Sequence, residues 1–144
     1  MRITYRGDYA LKAILDLTLH YGNLVTINVL AKRADIPLKF LEQVLLDLKR
    51  GGFVESRRGK IGGYLLAKHP SEITVGDVIR FVDGPLEPIE CVAQGYKGCK
   101  DVYKCIFRGI WQDVAKATSQ IIDNITFEEL AEKVNGKQGL VYSI

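Results

Sequence analysis

Apolar residues recur at helical spacing through the N-terminal part of the chain. Tyr9, Leu11, Ala13, Ile14, Leu17, Thr18 and Tyr21 make one face of a helix that starts near Asp8, with Gly22 suited to its C-cap. Thr26 is a good N-cap for a short second helix carrying Ile27, Val29, Leu30 and Ala34, which Asp35-Ile36-Pro37 closes. Pro37 suits the first turn of a third helix, where Phe40, Leu41, Val44, Leu45 and Leu48 keep an i, i+3/i+4 stripe as far as Gly51-Gly52. The pattern then changes period. Phe53–Arg57 reads as a strand, Arg58-Gly59-Lys60-Ile61-Gly62-Gly63 as a Gly-rich turn, and Tyr64–Ala67 as the returning strand. A short helix, a tight turn, a second helix and a basic-tipped hairpin together spell a winged helix-turn-helix.

Further on, Thr74 caps a helix bearing Val75, Val78, Ile79 and Val82 that stops at Gly84-Pro85. A polar, Gly-bearing loop follows. From about Val102 to about Asn124 a long helix carries Ile106, Ile110, Val114, Ala117, Ile121 and Ile122, with Phe107 and Trp111 on a second apolar line. It is too apolar to stand alone and reads as a dimerisation helix. Thr126 and Glu129 have capping-box spacing, and Gly139–Ile144 reads as a short final strand. The expected fold is mainly α with a small β-wing. It divides into a DNA-binding unit over 1–84, a cysteine loop over 85–105, and a dimerisation helix with C-terminal segment over 106–144.

Composition narrows the classes. At 144 residues, 47% hydrophobic and 26% charged, the chain can bury a real core. No apolar run reaches the roughly 18–20 residues that span a bilayer, and the N-terminus lacks a signal-peptide pattern, so a cytoplasmic protein is expected. The net charge is only +3. Its distribution matters more: Lys49, Arg50, Arg57, Arg58 and Lys60 cluster, opposed there by Glu55, as a nucleic-acid footprint or a solvated charge run. No phosphate-cradling Gly loop and no His-based triad is present, so an enzyme is not expected.

All three cysteines, Cys91, Cys99 and Cys105, fall in the polar loop. In a reducing compartment such thiols hold metal or do redox chemistry more often than they form disulfides. An iron–sulfur cluster, zinc and free redox thiols are the candidates. The spacing is wider than in zinc hairpins, which favours iron–sulfur.

The opening Met1–Ala10, Phe40-Leu41-Glu42-Gln43, the wing Arg58–Ala67, the cysteine triplet and Asn124–Leu130 together resemble the family of winged-helix regulators that includes IscR-type and NsrR-type proteins. The resemblance runs along essentially the whole chain. It implies a homodimeric transcription regulator that binds double-stranded DNA, with promoter recognition controlled by a labile iron–sulfur cluster and a role in cluster biogenesis. A nitric-oxide-sensing repressor, or a cluster-free repressor of cysteine metabolism, is the alternative.

On DNA, Lys39, Phe40, Glu42 and Gln43, with Leu38, are expected to face base edges. In the IscR-like branch a glutamate matching Glu42 is linked to choosing between classes of site. Arg58 sits where the family places a minor-groove arginine, Arg57 and Lys60 suit phosphates, and Arg2, Tyr5 and Arg6 suit backbone beside the first helix. For the cluster, IscR-like proteins complete three cysteines with a histidine one helical turn on. Here that position is Arg108, which does not ligate as a cation but can offset cluster charge. NsrR-like proteins use an aspartate near the start of the first helix, reaching across the dimer. Asp8 stands there and joins Cys91, Cys99 and Cys105 as fourth candidate, unless it is simply that helix's N-cap; Glu90, Asp101 or an exogenous ligand are the other options. The overall likeness favours 2Fe–2S, and the aspartate leaves 4Fe–4S open.

Overall fold

The structure, a computed structural model, describes residues 2–101 and 103–142, with side chains as far as 137. The chain runs α1 (Tyr5–Leu19), α2 (Ile27–Ala34), α3 (Leu38–Arg50), β1 (Val54–Arg57), β2 (Gly63–Leu66), α4 (Val75–Asp83), α5 (Ile106–Ile122) and α6 (Phe127–Tyr142). Short 3-10 turns lie at Pro70–Glu72 and Glu90–Val92. This is a winged helix-turn-helix, mainly α with one small antiparallel wing.

The apolar stripes meet around α1. Ala10, Ala13, Ile14 and Leu17 pack with Leu30 of α2, Leu41, Val44, Leu45 and Leu48 of α3, and Val78 of α4. Phe127, only 1% exposed, brings the start of α6 into the same core. Its N–H donates to the Ile73 carbonyl at 3.0 Å, beside the Thr74–Thr126 bridge.

Several boundaries differ from the sequence reading. α1 starts ahead of Asp8 because Thr4 is its cap: the Thr4 hydroxyl accepts from the Gly7 N–H at 3.2 Å. Asp83 of α4 sets this up by accepting from the Thr4 N–H at 2.9 Å and from the Thr4 hydroxyl, which leaves the hydroxyl lone pair for Gly7. Asp8 therefore lies in the first turn and is not the cap. At its other end α1 stops at Leu19, with His20 rather than Gly22 at the C-cap. The His20 N–H bonds back to the Asp16 carbonyl, and the next turn folds on Tyr21–Thr18 and Asn23–His20 backbone bonds.

The long helix begins at Ile106, with Cys105 at its N-cap position, and ends at Ile122; Val102, where the reading placed its start, lies outside the described residues. The supposed final strand is instead the last part of α6, which runs to Tyr142; Ser143 and Ile144 lie outside the described residues. Once the Thr126–Glu129 capping box has nucleated that helix, extending it costs far less than starting an unpaired strand.

The wing is anchored to the body. β1 and β2 pair from Val54–Leu66 to Arg57–Gly63, and Tyr64 exchanges backbone bonds of 2.9 and 2.8 Å with Val25, just before α2. Gly63 permits that approach: a Cβ there would stand 2.7 Å from the Val25 carbonyl oxygen. At the tip Gly59 takes φ +121, a left-handed conformation that side chains rarely adopt.

Candidate nucleic-acid interface and cysteine loop

α3 is two-faced, as its stripe requires. Leu41, Val44, Leu45 and Leu48 are buried, while Leu38, Lys39, Phe40, Glu42 and Gln43 are exposed. Ile36, just before Pro37, is buried and holds the turn between α2 and α3. The N-terminal end of α3 is thus presented outward with its polar and aromatic groups intact. Phe40 lies 6.4 Å from the Tyr9 ring, and Tyr9 lies 6.2 Å from Tyr5, so an aromatic row joins the start of α1 to the start of α3. Among the described residues Glu42 has no ion-pair partner.

The wing supplies the second surface. Lys49, Arg57, Arg58 and Lys60 line one groove with Thr26 and Ile27, between the helix-turn-helix and the hairpin. Arg57 stands 3.7 Å from Glu55 on the same strand. Lys49, at the end of α3, donates to the Ser56 hydroxyl at 2.7 Å and so holds the wing against α3. Four cations in one groove with one carboxylate nearby fit a phosphate backbone. Arg2 and Tyr5 are not in this groove. They line a separate hollow with Ile3, Thr4 and Asp8.

An ion pair that the sequence reading did not anticipate ties α1 to α3, and it engages Arg6, which that reading had assigned to the DNA backbone. Arg6 pairs with Asp47, and Asp47 accepts from the Gln43 amide at 3.3 Å. The i, i+4 spacing of Gln43 and Asp47 was a visible signal; the Arg6 contact, from a distant segment, was not.

The cysteine loop packs at the junction of α4 and α5. Cys91 is half-buried in the Glu90–Val92 turn, Cys99 and Cys105 are exposed, and all three are free thiols. The Arg108 guanidinium donates through Nε to the Cys91 carbonyl at 3.2 Å and lies over the Tyr103 ring. Arg108 thereby straps the Cys91 turn to the first turn of α5, beside Cys105. Asp8 is engaged elsewhere, 2.8 Å from Lys12, and that hydrogen bond raises the Lys12 ammonium above its ordinary pKa. Among the described residues no three His, Cys, Asp or Glu side chains are gathered to hold a metal ion. The thiols are the right donors for an iron–sulfur cluster, and Arg108 ties the Cys91 turn to the start of α5. Both histidines are committed: His20 to Asp16 and Arg33, His69 to Ser71 and Glu128.

α4 and α5 are clamped near the C-terminal end of α5. Arg80 donates to both Asp123 oxygens and, at 3.1 Å, to Ser119; the hydrogen bond to Asp123 pushes the Arg80 pKa up. The opposite face of α5 is bare. No α5 residue is buried, and Ile106 and Ile121 are 81% and 62% exposed.

A family model described as an iron-dependent transcriptional regulator, Rrf2, matches residues 3–133. The chain belongs to the Rrf2 family. It is 41% identical over 142 residues to the HTH-type transcriptional regulator IscR of Serratia proteamaculans, covering 98% of this chain and 84% of that one. The IscR of Erwinia tasmaniensis is 39% identical over 142 residues, covering 98% and 83%. Among solved structures, CymR, the global cysteine regulator of B. subtilis, superposes with a TM-score of 0.76 at 30% identity, over 92% of this chain and 98% of that one. The IscR of T. potens superposes at 0.75 and 29% identity, over 96% and 91%. This Rrf2 protein is a DNA-binding transcription regulator of the IscR type, and its relatives are regulators, not enzymes. Among the described residues no helix is long and apolar enough to cross a membrane.

Proposed function

We propose that this Rrf2 protein is a cytoplasmic homodimer that reads double-stranded DNA with α3 and the wing and governs iron–sulfur cluster biogenesis through a labile cluster of its own. Its working units are the reader over 1–84, the cysteine loop over 85–105 and the dimer unit over 106–144. Lys39, Phe40, Glu42 and Gln43 address base edges; Arg58 enters the minor groove; Arg57, Lys60, Arg2 and Tyr5 take backbone contacts. The outward face of α3 beside the four-cation groove carries this part of the reading. The bare stripe of α5 is the dimer surface, and the two-fold that results suits paired half-sites.

Cys91, Cys99 and Cys105 are the protein's cluster ligands, with Asp8 reaching from the second copy as the fourth. An oxygen donor among thiolates makes a weak position, which is what a sensor needs. Arg108 holds Cys91 beside α5 and offsets the charge of the bound group. When bound, a cluster of this kind, 2Fe–2S in our reading with 4Fe–4S the other option, supplies a centre that iron shortage, oxygen or nitric oxide can disassemble. The loop then loses the constraint between Cys91 and Cys105. α4, which follows the wing, is held to α5 by Arg80 and to the start of α1 by Asp83, so that change has a route to the reader.

The test is anaerobic purification with an absorption or Mössbauer spectrum, paired with DNA binding with and without the cluster. A coloured protein whose site preference changes on cluster loss supports this reading. Colourless protein with three reactive thiols and unchanged DNA binding supports the second reading, a cluster-free regulator of cysteine metabolism. The structural likeness to CymR keeps that reading alive.

A further inference from the structure

We infer that Asp47 is a specificity-determining positioning residue: it fixes which way the base-reading amide of Gln43 faces, and it withholds two arginines from the DNA backbone. The inference rests on the proposed role of α3 as the reading helix. Asp47 sits one turn after Gln43, and its side chain is only 14% exposed. Both carboxylate oxygens are used. Oδ1 accepts from Gln43 Nε2 at 3.3 Å and has Arg50 Nη1 at 3.6 Å. Oδ2 accepts from Arg6 of α1.

A carboxylate only accepts, so only the NH2 end of the Gln43 amide can face it; the flipped amide would set oxygen against oxygen. One amide hydrogen is thereby taken, while the other hydrogen and Oε1 remain, in a set order along the groove. Reading adenine needs that order, with Oε1 accepting from N6 and Nε2 donating to N7. A free amide presents either order and discriminates less. The ion pairs have a second consequence. Arg6 and Arg50 are exposed cations at the edge of the reading surface, and Asp47 holds both against the protein. Removing the carboxylate releases them to phosphates, and each added phosphate contact steepens the salt dependence by about 0.9.

Loss of Asp47 thus has two effects of opposite sign. The anaerobically purified full-length protein first selects sites from a pool of randomised DNA duplexes. Binding is then measured on the selected duplex, its single-base variants and an unrelated duplex, across a salt titration. Asp47→Ala lowers the preference for the selected base at the Gln43 position about three- to tenfold, a fraction of a bidentate contact. It also strengthens binding to the unrelated duplex and steepens its salt slope by about one to two. Asp47→Ser gives the same two signs with a polar group retained, should the alanine variant melt early. In a Gln43→Ala background, Asp47→Ala still steepens the salt slope but no longer alters base preference.

A uniform loss of affinity for every duplex at unchanged salt slope overturns the inference and makes Asp47 merely structural. Wild-type preference in the Asp47 variants, with Gln43→Ala alone losing it, overturns the inference and leaves α3 as the reader. If Gln43→Ala has wild-type preference, the inference fails because Gln43 reads no base. Loss of sequence preference in no α3 variant at all would overturn the reading-helix assignment itself.

Discussion

Asp8 and Lys12 sit one helical turn apart and hold each other, and this decides how Asp8 can serve a cluster. The Lys12 ammonium stands on Asp8 Oδ2 and draws on the carboxylate's charge, so Lys12 competes with the site. Asp8→Ala should speed cluster loss about tenfold or more, the scale on which an outlying ligand or its support matters. Lys12→Met should slow it. Absorbance decay under a fixed oxygen or chelator challenge measures both, and equal rates in all three proteins would remove Asp8 from the ligand set. The pH sign is also set. Lys12 is raised when paired, so the pair is intact at neutral pH and its lysine side is lost only as pH climbs through that raised value. Alkaline titration is what frees Asp8 from the lysine side. At the wing, Arg58 lines the cationic groove and has no ion-pair partner among the described residues. Arg58→Ala should weaken binding to sites with a narrow minor groove and reduce the salt slope by about one. An unchanged slope in a salt titration would count against a DNA contact.

The wing shows how far an element depends on one missing side chain. Gly63 lies against the backbone of Val25, and backbone cannot swing aside as a side-chain tip does. Gly63→Ala should therefore part Tyr64 from Val25 and cost about 1–3 kcal/mol, the usual range for overpacking. Urea denaturation reads the loss, and DNA affinity should fall further than stability alone explains, because the cationic groove spans that seam. Elements like this were legible in part. The stripe of α3, the Thr26 and Thr74 caps, the hairpin and the Thr126–Glu129 box could be read from local spacing, because each is local physics: periodicity, a cap oxygen, a turn glycine. The start of α1 was misplaced at Asp8, whereas Thr4 is the cap, with its hydroxyl held by Asp83 of α4. Local spacing could not give the Arg6–Asp47 link, which joins two segments distant in sequence. The C-terminal run of Leu140, Val141 and Tyr142 has strand propensity, yet helix continuation from the capping box overrode it. In the candidate site, the three thiols and the missing histidine were plain in the sequence, while the strap from Arg108 to Cys91 required the fold.

At the scale of the whole molecule, the proposed dimer face on α5 and the proposed fourth ligand pose one question. Ile106, Phe107, Ile110 and Ile121 leave α5 apolar and exposed, and none of its residues is buried in the monomer core. Ile110→Asp should thus spare the fold, with unchanged circular dichroism, while shifting sedimentation from dimer to monomer and lowering DNA affinity by the loss of the paired half-site. If the dimer also completes the cluster site, two defective chains can mend each other. Asp8→Ala keeps its cysteines and lacks the carboxylate; Cys105→Ser keeps Asp8 and lacks a thiol. Alone, each should hold its cluster poorly. Co-expressed, the mixed dimer has one site with every ligand, the thiols from the first chain and Asp8 from the second. With random pairing about half of all dimers are mixed, each with one whole site of two, so roughly a quarter of wild-type occupancy should return in the slow-decaying phase. If Asp8 instead serves the cysteines of its own chain, every site in the mixture lacks one ligand and no slow phase appears. The absorbance decay of the co-expressed pair therefore separates a site shared across the dimer from one closed within each subunit.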